Sequence, residues 1–162
     1  MAEFIYQEPF PIQQDKTEYR LLTEDDVKVV ECDGRKIVKV DPKGLELLAK
    51  EAYADVSFYL RASHLQKLSN ILNDPEATDN DKFVAYTMLL NQCVAAEGEL
   101  PTCQDTGTAI CIGHKGEDVY TGANDAECIS RGVYETYKER NLRYSQVVPF
   151  TMTEEKNSGN NL

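Results

Sequence analysis

Apolar and polar positions alternate along this chain in a way that predicts short hairpins and longer amphipathic helices. Val27 to Val30 and Ile37 to Val40 flank Asp33-Gly34, a pair that tolerates positive φ, and so predict a β-hairpin with a two-residue turn. Asp41-Pro42 then offers an N-cap followed by proline at the first helical position, after which Leu45, Leu48, Ala52, Val56 and Tyr59 recur at helical spacing. Leu65, Leu68 and Leu72 continue a helical period until Asn73-Asp74-Pro75 stops it. A further helix is expected from about Thr78, with Phe83, Leu90 and Val94 turned inward, to Gly98, which can take the left-handed capping conformation.

Thr108 to Ile112 and Asp118 to Tyr120, joined through Gly113-His114-Lys115-Gly116, read as a second hairpin. Asn124 to about Arg140 reads as a helix with Asp125 and Glu127 near its positive end and Lys138 and Arg140 near its negative end. Tyr144 to Phe150 is expected as a last strand, and Thr151 to Leu162 as a polar tail without a closing element. At the other end, Met1 to about Arg20 is aromatic and interrupted by proline, an extended arm whose Phe4, Ile5, Tyr6, Phe10 and Ile12 need a surface to cover. These elements together predict a mixed α/β (α+β) fold, helices packed on short hairpins, in a single domain over residues 1–162.

Length and composition agree with that reading. A chain of 162 residues can bury roughly 70% of its unfolded surface in one core. Hydrophobic residues make up 41% and charged residues 28%, near ordinary globular values, so neither disorder nor a membrane class is favoured. No unbroken apolar run reaches the ~20 residues of a membrane helix, and Glu3, Gln7 and Glu8 stand where a secretory leader would be basic and apolar, so a soluble, cytoplasmic protein is expected. A net charge of −11 with no basic stripe argues against nucleic acid, and it demands local Arg, Lys or metal charge wherever a dianionic substrate is to bind. Cys32, Cys93, Cys103, Cys111 and Cys128 contain no Cys-x-x-Cys pair, which argues against a zinc ribbon or a disulfide framework and for reduced thiols.

The sharpest chemistry lies in Leu100-Pro101-Thr102-Cys103-Gln104-Asp105-Thr106-Gly107-Thr108-Ala109, which sets a thiol, an amide and a carboxylate side by side in a Gly-containing turn. Such a turn can hold a metal and a proton donor together. Spacing alone leaves two readings of each residue: Cys103 as ligand or as small buried hydrophobe, Asp105 as proton carrier or as the cap of an Asx-type turn. Arg143 has a planar donor fork suited to a carboxylate, and it could equally be a solvated residue after a helix end, next to Arg140. Cys32 and Cys111 fall in expected strands, Cys93 and Cys128 in helices, so all four read as packing residues. His64 in a helix and His114 at a hairpin tip take no catalytic role, and Gly107, Gly113 and Gly116 lack the spacing of a phosphate-binding loop.

The Cys103 loop resembles the first cluster-binding loop of the iron–sulfur-dependent (class I) fumarate hydratases. Tyr6-Gln7-Glu8-Pro9-Phe10-Pro11, Asn141-Leu142-Arg143-Tyr144-Ser145-Gln146 and Glu154-Glu155-Lys156-Asn157 are similar to the same family in the same order, so the resemblance runs along essentially the whole chain. It implies a [4Fe–4S] cluster with Cys103 as one of three cysteine ligands, the other two lying downstream of this chain, and one iron left open as a Lewis acid for reversible hydration of fumarate to malate. By the same resemblance Gln104 orients the substrate, Asp105 contacts it and shuttles a proton, and Arg143 holds a substrate carboxylate.

The family's catalytic histidine and the remainder of its first domain would then belong to sequence beyond this chain. The chain is expected to be the N-terminal part of a longer enzyme, a homodimer when complete, and inactive and without a cluster alone, since a single thiolate cannot retain one. Within the same hydro-lyase family a tartrate dehydratase is the nearest alternative, because its substrate differs only at a hydroxyl. A reading from another class, a non-catalytic thiol-containing scaffold or one subunit of a split enzyme, fits the uncovered arm and the unclosed tail.

Overall fold

A computed structural model describes residues 4–8, 11, 18–104, 107–143 and 145–157. It shows a mixed α/β fold of helices with small sheets. Strands β1 (Val27–Cys32) and β2 (Arg35–Val40) pair antiparallel with Val27 opposite Val40 and Cys32 opposite Arg35. Asp33 and Gly34 have φ of 50° and 75°, the left-handed pair that a two-residue turn needs to match the strand twist. Asp41 caps helix α1 (Pro42–Phe58) by accepting from the Lys43 amide at 3.0 Å, and its own N–H is held by the Asp26 carbonyl at 2.7 Å, so hairpin and helix are joined rigidly.

Helices α2 (Ala62–Leu72) and α3 (Asp79–Ala95) pack on one another. α3 begins with a reciprocal cap in which the Thr78 hydroxyl accepts from the Asp81 N–H and the Asp81 carboxylate accepts from the Thr78 N–H. Strand β3 (Val119–Tyr120) joins the sheet parallel to β2. Helix α4 (Asp125–Glu139) follows, capped by Asn124, and β4 (Val147–Pro149) pairs antiparallel with β5 (Glu155–Asn157).

The tightest packing is between α1 and α4, which run parallel: Glu46 meets Arg131, Lys50 meets Glu139, and Phe58 meets Arg140. Small residues allow the approach. Ala49, Cys128, Val133 and Thr136 are buried there, and the Thr136 hydroxyl bridges to the Lys50 carbonyl at 2.8 Å. A Cβ on Gly132 would run into the Glu46 carbonyl oxygen and lie 2.8 Å from Ala49 Cβ and 3.0 Å from Lys50 N. Gly132→Ala gains about 1 kcal/mol of helix propensity but forces apart two backbones that cannot rotate away, an overpacking cost of about 1–3 kcal/mol or more. The clash wins: urea unfolding of the variant should show a lower midpoint at unchanged slope, and an equal or higher midpoint would contradict this contact.

Several expectations need correction. Residues 108–112 form no strand, and β3 pairs with β2 rather than with them, so the expected hairpin across residues 113–116 is not formed. The last strand is shorter than Tyr144 to Phe150, Tyr144 lies outside the described residues, and the tail does close on itself through β5. Phe4, Ile5 and Tyr6 are exposed; Phe10 and Ile12 lie outside the described residues. The end of the arm docks through Arg20 to Glu51 and Asp55 on α1.

On α3 the packed stripe is not the one carrying the largest apolar side chains, and on α1 only part of the expected stripe is packed. Leu48, Val56 and Tyr59, expected inside, are exposed while Ala49 and Phe58 are buried. Phe83, Leu90 and Val94 are likewise exposed while Ala85, Gln92 and Ala95 are buried. Among the described residues the buried apolar side chains are mostly small, and broad apolar stripes remain uncovered.

Candidate functional site

The C-terminal end of α1 gathers the segments that carry the candidate residues. Thr102 donates its backbone N–H to the Ser57 carbonyl at 2.8 Å and its hydroxyl to Gln92 Oε1 at 3.1 Å, while Asn91 Nδ2 donates to the Thr102 carbonyl at 2.8 Å. Gln92, buried within α3, turns its Nε2 to the Phe58 carbonyl at 2.7 Å. Cys103 and Gln104 follow directly and are exposed. On the far side of the loop Ala109 is buried and Cys111 Sγ lies 3.5 Å from the Tyr53 hydroxyl, so the segment from Cys103 onward is tied to α1 on both flanks. Burial and the Cys111 contact push the Tyr53 hydroxyl well above its usual range, which keeps it a neutral phenol.

Arg143 is positioned by the end of α4. Asn141 takes a left-handed φ of 51°, the Leu142 N–H returns to the Tyr137 carbonyl at 2.9 Å, and Leu142 is buried. This is a Schellman-type closure, and it delivers Arg143 from an anchored residue, as Thr102 delivers Cys103. The Arg140 guanidinium sits 5.8 Å from the centre of the Phe58 ring, so the α4 end meets α1 at Phe58, next to Ser57, whose carbonyl holds Thr102. Because α1 and α4 are parallel, both bring partly negative C-terminal ends here, and an anion would need Arg140 and Arg143 to offset them.

Asp105 lies outside the described residues. Among the described residues no group of three or more His, Cys, Asp or Glu is placed to hold a metal, and Cys103 offers an exposed thiol at this end. That fits one ligand of a shared cluster and does not fit a self-sufficient metal site. Cys32, Cys93 and Cys111 are exposed rather than packed; only Cys128 is the buried residue expected, its thiol pushed up first by desolvation and then by nearby carboxylates. His64 and His114 are exposed, and Lys115 ties the His114 loop to Asp125 at 2.5 Å. Thr121 also bonds Asp125, and the two together hold that carboxyl below its usual range. Depressions of about 350 Å³ beside Lys28 and Lys39 and about 430 Å³ between Leu68 and Met88 lie elsewhere and are not lined by Cys103, Gln104 or Arg143.

Sequence reasoning overlooked Asn91, Gln92 and Thr102. Their signal was present: two adjacent amides interrupt the apolar run Met88-Leu89-Leu90 … Cys93-Val94, where a helix built only for packing would continue it.

The family model described as fumarate hydratase (Fumerase) matches residues 46–162. The class I aerobic fumarate hydratase of Escherichia coli K12 is 55% identical over 159 residues, which is 98% of this chain and 29% of that protein. The class I anaerobic enzyme of the same strain is also 55% identical over 159 residues, again 29% of its length. Fumarate hydratase 1, mitochondrial, of Leishmania major is 49% identical over 153 residues, 93% of this chain and 28% of that protein. The chain therefore spans 29% of the length of the first curated relatives it matches. The family match covers both the Cys103 loop and the α4 end, and the chain belongs to the fumarate hydratase family.

Proposed function

We propose that this chain is the N-terminal part of a class I fumarate hydratase that interconverts fumarate and malate. The observation that carries the reading is the exposed Cys103 thiol, held next to a residue fixed on two helices, in a chain 55% identical to class I fumarate hydratases. The exposed Leu48 and Val56 on α1, Tyr59 just beyond it, and Phe83, Leu90 and Val94 on α3 support it, since they offer apolar surface for the rest of such an enzyme, or a second copy of it, to cover. A reducing compartment such as the cytoplasm suits its exposed free thiols.

Cys103 would hold one iron of a [4Fe–4S] cluster whose other ligands come from outside this chain. When bound, such a cluster supplies Lewis-acid polarisation at the hydroxyl that is added or removed. This chain's residues do the rest of their share directly. Gln104 orients the substrate with its amide, Asp105 gives a proton to or takes one from the substrate hydroxyl oxygen, and Arg143 grips a carboxylate through two parallel N–H donors. The group that moves the carbon-bound proton lies outside this chain. Water adds as hydroxyl at one carbon and proton at the other, so the two proton movements belong to different groups.

The test is fumarate and malate interconversion by the full-length enzyme purified without oxygen, alongside its iron content. Conversion that depends on iron supports the reading, and iron-replete protein without conversion contradicts it. Within that assay Arg143→Lys should lower kcat/KM by roughly 10-fold or more, the scale of one lost charge-assisted hydrogen bond, with the cluster absorption unchanged. An unaltered kcat/KM would return Arg143 to an ordinary surface residue.

A further inference from the structure

We infer that Gln92, together with Asn91, is a positioning residue for Cys103, acting through Thr102. The inference rests on Cys103 as a cluster ligand and adds how this chain sets that ligand in place. Gln92 is one of two buried polar residues among those described, and a leucine of similar size would pack on that stripe without needing partners. Instead its amide is used at both ends. The Phe58 carbonyl can only accept, so the nitrogen must face it, which leaves the oxygen for the Thr102 hydroxyl.

The remaining polar groups of Thr102 are fixed independently, its N–H by the Ser57 carbonyl and its C=O by the Asn91 amide. The Thr102 carbonyl lies in the same peptide plane as the Cys103 nitrogen, so Asn91 fixes the direction in which the chain enters Cys103. Ser57 and Phe58 belong to the last turn of α1, whose carbonyls lack partners within the helix. The loop therefore completes the end of α1 while α1 and α3 aim the loop. A metal ligand benefits from such an outer hydrogen-bond shell because the thiolate is held where the metal needs it before binding.

The experiment uses the full-length enzyme and compares Thr102→Val, which keeps the shape but loses the hydroxyl, with Thr102→Ser, which keeps the hydroxyl. Gln92→Met is the second disruptive variant. One readout is site-resolved alkylation of Cys103 in iron-free protein, with buried Cys128 as the internal report of an intact fold. The other is the rate of iron loss from the loaded protein. Thr102→Val and Gln92→Met should alter the Cys103 alkylation rate while Cys128 stays protected, and should lose iron about 10–100-fold faster, with Thr102→Ser restoring wild-type behaviour in both.

If all these variants match wild type in both readouts, or if Thr102→Ser is as impaired as Thr102→Val, the positioning role is wrong. Should Cys128 become reactive in one disruptive variant, the other decides. Cys103→Ser, run in parallel, separates the two layers. If it keeps its iron, the cluster reading fails while the alkylation data still judge the positioning. If it loses its iron but Thr102→Val and Gln92→Met match wild type in both readouts, only the positioning fails.

Discussion

Asp105→Asn in the full-length enzyme is expected to leave iron content and cluster absorption at wild-type levels while slowing fumarate hydration and malate dehydration by roughly 10²–10⁴-fold, the usual consequence of removing a proton-transfer group. An amide keeps the size and much of the hydrogen bonding of the carboxylate, so substrate should still be oriented. It cannot exchange a proton with the substrate hydroxyl, so loss should appear in kcat more than in KM. Both reaction directions should suffer alike, because the same group gives the proton in one and takes it in the other. Turnover within about 10-fold of wild type, the least that general acid–base participation ordinarily contributes being larger, would remove Asp105 from the chemistry and leave it a turn residue.

Much of the fold was legible because local backbone demands are written in residue type. Asp33-Gly34 supplied the positive φ of the hairpin turn, Asp41, Thr78 and Asn124 marked helix starts, and Pro75 ended the Leu65–Leu72 periodicity. Which face each helix buries was not legible. Periodicity weighted the largest apolar side chains, whereas α1 packs on α4 through the close approach at Gly132 and Ala49, and α3 buries the stripe that carries Gln92. The false second hairpin has a similar origin. The glycines around His114 signal a local turn, but β3 finds its partner in β2 far back in the chain, a parallel pairing that no local turn encodes, and Cys111 spends its contact on Tyr53.

The candidate site divides along the same line. Residue types announced a thiol, an amide, a carboxylate and a guanidinium, because chemistry selects side chains one by one. Their scaffold came only from packing. The Thr102 anchorage joins α1 and α3 at Ser57 and Gln92, and the Leu142 closure sets Arg143 at the end of α4, where Arg140 lies over Phe58. A hydrogen-bonded Gln inside one helix and a buried Leu after another look unremarkable until the helices are placed side by side.

Iron bound per full-length chain in Cys103→Ser, purified and reconstituted without oxygen beside the wild type, tests the central claim most directly. A serine oxygen is a harder and less easily deprotonated donor than a thiolate, so one ligand of the cluster is lost while size and loop anchorage through Thr102 are kept. The account predicts that the variant retains no intact cluster and no fumarate hydration, with Cys128 still protected from alkylation as proof of an intact fold. A Cys103→Ser enzyme that holds its full iron complement and turns over normally would make Cys103 an ordinary surface thiol and contradict the account.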